Sequence, residues 1–187
     1  MAKIIDDSEE DKWIAGCTTL VQMGDRVDRG PDSILIINFL NKLSREAPKR
    51  GPGGKVIQLI GNHEALNMAS NINYAHPQEV ESKGGEAAWQ NMFSRRGIYG
   101  QQLRKMPLVY IDDESKTVFV HGGLTPKWAR HGAAAINNIA SQQMQGDKLE
   151  GGVFGNDGPV WDRSVLMEAS GIDPFGNQNN NNNSSNN

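Results

Sequence analysis

Cysteine is almost missing from this chain: Cys17 stands alone in 187 residues. That excludes an internal disulfide and a cysteine-built zinc site, and Cys17 reads as a small apolar side chain packed in front of the first strand. No apolar run approaches the ~20 residues that a membrane helix needs, and the N-terminus has no secretory h-region. The chain reads as soluble, with the cytoplasm as its default compartment. Neither sign of charge prevails. With 19 Lys and Arg against 22 Asp and Glu, the net charge of −3 is too small a field to argue for nucleic acid or a membrane as partner. Specificity must therefore lie in a local site.

What is present suffices for one domain, since 37% of the residues are hydrophobic and the length fits a single core. Residues 1–12 form an acidic N-terminal segment, in which Asp6-Asp7-Ser8-Glu9-Glu10-Asp11 reads as a solvated loop because nothing apolar frames it. Residues 13–170 carry the structural signal. In the tail, 171–187, everything from Asn177 onward is asparagine, glutamine or serine, a composition expected to be disordered.

The apolar run Thr18 to Met23 reads as a buried strand, and it feeds directly into Gly24-Asp25-Arg26-Val27-Asp28-Arg29-Gly30. Pro31 and Asp32 then start a helix whose inner face is Ile36, Phe39, Leu40 and Leu43, ending before Pro48. Lys55 to Ile60 is a second buried strand, so strand, helix and strand form a parallel unit. That strand ends in Gly61-Asn62-His63-Glu64, with a short helix to about Met68. Tyr74, Trp89 and Phe93 read as core residues within a weakly patterned stretch. Val109 to Ile111 and Thr117 to Val120 read as strands, the latter ending in His121-Gly122-Gly123, and Ala133 to Gln145 reads as a helix. Three apolar strands thus each run into a glycine-containing polar loop, and strand ends are where α/β sheets hold ligands.

The loop chemistry is specific. Two carboxylates three residues apart need cations or donors to offset their repulsion and desolvation. Asp25, Asn62 and His121 together offer carboxylate, amide and imidazole donors, a set suited to Mn²⁺, Fe or Zn²⁺ rather than calcium. Asp25 is the candidate bridge between two ions ~3.5–4 Å apart. His63 is then free to act as general acid, oriented by Asp28, while the planar fork of Arg29 suits phosphate oxygens. With metal-bound hydroxide as attacking group no nucleophilic serine or cysteine is required, and direct phosphomonoester hydrolysis follows. Arg163, held at a pocket rim by Trp161, is a further candidate for phosphate. His76 and His131 read as surface or locally bonded histidines, and Arg95-Arg96 as a solvated pair. Singly, Gly-Asn-His-Glu explains itself as a helix cap and His-Gly-Gly as a turn; three such loops at strand ends do not.

These motifs resemble the calcineurin-like metallophosphoesterases, within them the phosphoprotein phosphatases with Gly-Asp-x-x-Asp-Arg-Gly, Gly-Asn-His-Glu and His-Gly-Gly. The likeness runs from about Trp13 to Arg163. Asn62 to Met68, Arg96-Gly97-x-Tyr99-Gly100 and Gly158-Pro159-Val160-Trp161 look most like the Shewanella-like phosphatase branch. The resemblance implies an α/β fold, a β-sandwich flanked by helices. It implies two divalent ions (Mn, Fe or Zn), with Asp25 bridging and Asn62 and His121 on the second metal. His63 with Asp28 would be the acid pair and Arg29 the phosphate ligand. The implied partner is a phosphorylated protein or peptide, at serine, threonine or tyrosine; hydrolysis of nucleotide or dinucleotide polyphosphates and a non-catalytic phosphate-binding role are the alternatives. The family's opening Gly-Asp-x-His-Gly and its last metal-binding histidine are not found in this sequence. The expectation is a partial domain lacking the first strand-helix unit, with impaired activity and a first metal site short of ligands. A gene-model fragment or a degenerate paralogue explains this about equally well, and the strand from Thr18 to Met23 is expected to be left open at its edge.

Overall fold

The computed structural model describes residues 3–6, 12–146 and 148–171. The acidic residues 7–11 and the asparagine tract therefore lie outside the described residues. The chain opens with two short strands, β1 (Ile5–Asp6) and β2 (Lys12–Trp13), paired antiparallel with Ile5 opposite Trp13. Next come β3 (Thr19–Gln22), α1 (Ser33–Arg50) and β4 (Lys55–Gln58). As expected from the sequence, β3 and β4 pair in parallel, Leu20 opposite Val56 and Gln22 opposite Gln58. Among the described residues β4 is the only strand hydrogen-bonded to β3.

The buried stripe of α1 differs from the one read in the sequence. Ile34, Ile37, Leu40, Leu43 and Ala47 face inward, Ile36 is exposed and Phe39 is only partly buried. Residues 34–37 are Ile, Leu, Ile and Ile, so two overlapping stripes satisfy the helical period, and the position of the sheet selects between them. The helix also continues past Pro48 to Arg50. Proline's fixed φ is already helical, so in a last turn it forfeits one hydrogen bond without breaking the helix. Leu43 and Ala47 pack with Trp13 in a small cluster that Leu20 and Val56 join, while Ile34 and Ile37 reach the main core. One helix thereby joins the two cores. Cys17 is exposed in the turn before β3, contrary to the packed position expected of it; the turn at Gly16, with φ +58°, carries it outward.

Beyond β4 lie α2 (Asn62–Met68), α3 (Pro77–Ser82), α4 (Glu86–Phe93) and α5 (Ile98–Leu103), followed by β5 (Val109–Asp112) and β6 (Thr117–Val120). The last two strands form an antiparallel hairpin, Tyr110 opposite Phe119. Then come α6 (Pro126–Ala129), α7 (Gly132–Gln143) and α8 (Ser164–Ala169), the last of which the sequence pattern did not announce. Trp89, Phe93, Leu103, Leu108, Ile136 and Val160 form the floor of the main core. Buried Arg104 ties its helix ends together, donating to the carbonyls of Met68, Phe93 and Met144. Four helix ends meet there, and their unpaired carbonyls find donors in one guanidinium. Asn137 fastens α7 to β5 through the N–H groups of Leu108 and Val109. None of the described helices is long and apolar enough to cross a membrane.

The outcome is that the C-terminal ends of β3, β4 and β6 open onto one another. Met23 O and His121 Nδ1 lie 2.7 Å apart, and Asp25 meets the first residues of α2. The three polar loops therefore build one site.

Candidate active site

The Gly24 to Gly30 loop is held open by strained backbone. Asp25, Asp28 and Arg29 have φ of 57°, 75° and 65°, values that cost L-residues about 1–2 kcal/mol each. Glu64 compensates. Its buried carboxylate accepts the N–H groups of Gly61 (2.8 Å), Asp25 (2.8 Å) and Arg26 (2.6 Å). The Arg26 Nε is 3.3 Å away, both side chains being fully buried. Arg26 donates further to Gln58 and to the Leu59 carbonyl. The loop is thus pinned from below by an ion pair that sequence reasoning missed, because charged residues in a polar loop look solvated. Gly24 is required for closeness: with φ +96°, a Cβ there would sit 2.6 Å from Gly61 N and 2.8 Å from His121 Nδ1.

Above this support the sequence-derived residues converge. Asp25 Oδ1 accepts the N–H of His63 at 3.1 Å, and Asp25 Oδ2 lies 3.3 Å from His121 Nε2. His121 Nε2 is also 2.9 Å from Asn62 Oδ1. Because His121 Nδ1 faces the Met23 carbonyl, it carries the proton by bond assignment, and Nε2 turns its lone pair toward two acceptor oxygens. Such a cluster needs a proton or a cation at its centre. These separations match the spacing of neighbouring ligands on a small divalent ion, ~3 Å for octahedral bonds of ~2.1 Å and ~3.3 Å for tetrahedral ones. Asp25, Asn62 and His121 thus fit a divalent metal. Among the described residues no group of three or more His, Cys, Asp or Glu side chains is arranged to hold a metal ion by itself; the trio depends on the Asn62 amide oxygen.

Electrostatics agree with that arrangement. Burial raises the Asp25 pKa, but the hydrogen bond from His121 and the His63 N–H outweigh it and hold the carboxyl below its usual range. Burial lowers the His121 pKa, but the Asp25 carboxylate beside it prevails and the imidazole is pushed up. Each group favours the other's charged form.

His63 sits one residue beyond Asn62 and borders the trio, its Nε2 4.0 Å from Asp25 Oδ2. Its Nδ1 is 2.7 Å from Asp28 Oδ2, and its Nε2 is 3.1 Å from Arg29 Nη2. The Asp28 side chain is fully buried and is itself fixed: Asn67 Nδ2 donates to Asp28 Oδ1 at 2.8 Å, and Trp89 Nε1 donates to Asn67 Oδ1 at 2.7 Å. Trp89, Asn67, Asp28 and His63 form one chain of bonds from core to site. The roles of Asn67 and Trp89 were not legible beforehand, although Asn67 lies four residues after His63 on the same face of α2. Arg163 Nη2 reaches to 3.5 Å from His121 Nε2, so it borders the site.

Other candidates fall outside. The His131 ring lies tilted at 48° against Trp128, and His76 occupies the N-cap position of α3 with no side-chain capping bond. Arg95 and Arg96 are exposed along a separate cavity of about 460 Å³. Tyr74 departs from its expected core position: the residue is 52% exposed and its ring meets the His63 ring edge-on, with centroids 5.2 Å apart.

With this geometry in place, comparison with known proteins is informative. The family model "Calcineurin-like phosphoesterase" matches residues 3–173. Shewanella-like protein phosphatase 1 of Plasmodium berghei is 37% identical over 120 residues, 62% of this chain and 32% of that protein. A symmetrical bis(5'-nucleosyl)-tetraphosphatase of Wigglesworthia glossinidia brevipalpis is 30% identical over 116 residues, 62% of this chain and 35% of that protein. Among solved structures, a cold-active protein tyrosine phosphatase superposes with a TM-score of 0.71 at 24% identity, covering 88% of this chain and 50% of the other. This chain spans between a third and a half of the length of these proteins. The mixed α/β fold is theirs, and the chain, with similarity to the Shewanella-like phosphatases among its relatives, belongs to the calcineurin-like phosphoesterases.

Proposed function

We propose that this site hydrolyses phosphomonoesters of a phosphorylated protein or peptide. The observation that carries the reading is the convergence of Asp25 Oδ2, Asn62 Oδ1 and His121 Nε2 beside the His63–Asp28 pair. Asp25, Asn62 and His121 would hold a divalent ion such as Mn²⁺, Fe or Zn²⁺, which when bound supplies Lewis-acid polarisation of the phosphoryl group and an activated water. Arg29, beside His63, and Arg163, beside His121, would bind phosphoryl oxygens through their guanidinium groups.

His63 provides the leaving-group proton. In the ligand-free arrangement Arg29 Nη2 faces His63 Nε2, so that nitrogen is an acceptor and holds no proton. When phosphate draws the guanidinium away, Nε2 is free to carry a proton, and the buried Asp28 carboxylate stabilises the resulting imidazolium through Nδ1–H. Asn67 and Trp89 keep Asp28 in place for that step. Substrate binding and acid readiness are thereby linked through one arginine.

The test is turnover of p-nitrophenyl phosphate and of phosphopeptides by the 187-residue chain with added Mn²⁺. The reading expects activity that falls by about 10²–10⁴ in His63→Ala and is lost in Asp25→Asn. Absence of wild-type turnover refutes it. The similarity to a tetraphosphatase supports a second reading, cleavage of dinucleotide polyphosphates by the same loops. Higher turnover of diadenosine tetraphosphate than of phosphopeptide would favour that one.

A further inference from the structure

Glu79 is a carboxylate buried to 5% exposure in the first turn of α3. Its Oε1 accepts the N–H of Ile34 at 2.9 Å, whereas Oε2, equally shut off from solvent, has no hydrogen-bond partner among the described residues. Burying a carboxylate with one oxygen unpaired is costly. The place it occupies offsets part of that cost. Ile34 is the second residue of α1, an 18-residue helix whose first N–H groups lack partners within the helix and carry a positive partial charge. Asp32, at the N-cap position of that helix, makes no side-chain capping bond. Glu79 therefore caps α1 from another helix, 45 positions along the chain.

What this cap holds in place is the second half of the Gly24 to Gly30 loop. The first residue of α1, Ser33, is buried, and its Oγ accepts the N–H of Asp28 at 3.2 Å. The N–H of Arg29 donates to the Tyr74 carbonyl at 2.9 Å, just before His76 opens α3. Asp28 and Arg29 are the successive residues with φ of 75° and 65°. Their strained backbone is thus fastened by one bond to the start of α1 and by another to the approach to α3. The Glu79 bond ties those two anchors to each other. Glu64 supports the first half of the loop in the same manner, through the N–H groups of Asp25 and Arg26. The loop rests on two buried glutamates, one beneath Asp25 and the other behind Asp28 and Arg29.

We propose that Glu79 is a positioning residue for the reaction: by capping α1 it fixes the Asp28–Arg29 half of the loop and with it the alignment of the His63–Asp28 pair. The catalytic part of this inference rests on His63 acting as the acid. Glu79 acts through Ile34, Ser33 and the loop backbone, and takes no part in the chemistry itself. Its contribution is an acceptor oxygen at the Ile34 N–H. Glutamine keeps that acceptor and alanine removes it.

Amide hydrogen exchange resolved by NMR tests this on the full chain, for wild type, Glu79→Gln and Glu79→Ala. In Glu79→Ala the protection of the Asp28 and Arg29 amides should fall by about tenfold or more, the effect of losing one hydrogen bond to a charged group. The Asp25 and Arg26 amides, held by Glu64, should keep wild-type protection, and Glu79→Gln should keep it at all four. Glu79→Asp retains the charge but withdraws the oxygen by one methylene, so it should show the same selective loss and reads the same bond if Glu79→Ala does not fold. A role in stability alone would lower protection across the whole chain. That uniform loss, unchanged exchange at Asp28 and Arg29, or equal losses in the Gln and Ala variants would overturn the proposal. Turnover of p-nitrophenyl phosphate with Mn²⁺, measured alongside, separates the two claims. The turnover number should fall about tenfold in Glu79→Ala, as for loss of an outer-shell partner, and recover in Glu79→Gln. Selective loss of protection in a chain without wild-type turnover supports the anchoring by Glu79 and removes the catalytic reading, whereas wild-type turnover that Glu79→Ala leaves unchanged overturns the proposal and spares that reading.

Discussion

Replacing Glu64 by glutamine removes one charge from the base of the site and keeps its shape. Three backbone N–H groups and the Arg26 Nε converge on this carboxylate, and neither side chain has any exposed surface. In Glu64→Gln one oxygen becomes an NH₂ group facing donors, and the Arg26 guanidinium is left as a buried charge without its counter-ion. Breaking a buried pair from one side costs about 3–5 kcal/mol, a large part of the ~5–15 kcal/mol that holds an ordinary domain folded. The strained φ values at Asp25, Asp28 and Arg29 also lose the bonds that offset them. Equilibrium urea unfolding of wild type, Glu64→Gln, Arg26→Met and the double variant measures this. Each single change should cost about 3–5 kcal/mol. The double variant should cost less than their sum by about 1–3 kcal/mol, because no unpaired charge remains. Losses below about 1 kcal/mol in the single variants, or strict additivity, would refute the view that this ion pair supports the loop.

Two other expectations concern the acid pair and the trio. Trp89→Phe leaves the buried Asn67 Oδ1 without its donor, so stability should fall by about 1–3 kcal/mol. The turnover number should drop with little change in KM, which steady-state kinetics would separate. For the trio, His121 must shed its Nε2 proton to ligate, and the Asp25 carboxylate holds its pKa above the ordinary 6.5. Mn²⁺ affinity should therefore rise as pH increases from 6.5 through that raised pKa, by about one proton per ion, and then level off. In the metal-free chain the sign is opposite: the Asp25–His121 contribution to stability is fully present between 3.8 and 6.5, fades as pH climbs through the raised His121 value, and is lost in acid as pH falls through the lowered Asp25 value. Unfolding followed across pH with and without Mn²⁺ tests both.

The site residues were legible because their chemistry is local. Asp25, Asn62 and His121 each follow an apolar strand by one or two residues, and that spacing alone places them at one edge. What supports them was hidden by tertiary structure. Arg26 and Glu64 lie 38 positions apart, and nothing in either neighbourhood marks them as buried partners. Tyr74 was read as core because aromatic rings bury well, yet its segment is tied outward through the Arg29 N–H. The stripe of α1 was misread by one position within a run of four apolar residues, where only the location of β3 and β4 decides which side faces in. Cys17 failed for the reverse reason: the turn that exposes it depends on the positive φ of Gly16, which composition does not reveal.

The central claim is that Asp25, Asn62 and His121 hold a divalent ion. Calorimetric titration of the full chain with Mn²⁺, repeated on Asn62→Ala and His121→Ala, tests it most directly. The account expects one ion per chain, since the described residues contain one such trio, and a loss of about tenfold or more in affinity for each variant, because a direct ligand matters at least as much as an outer-shell partner. Unchanged affinity in both variants, or no saturable binding by the wild type, would contradict it.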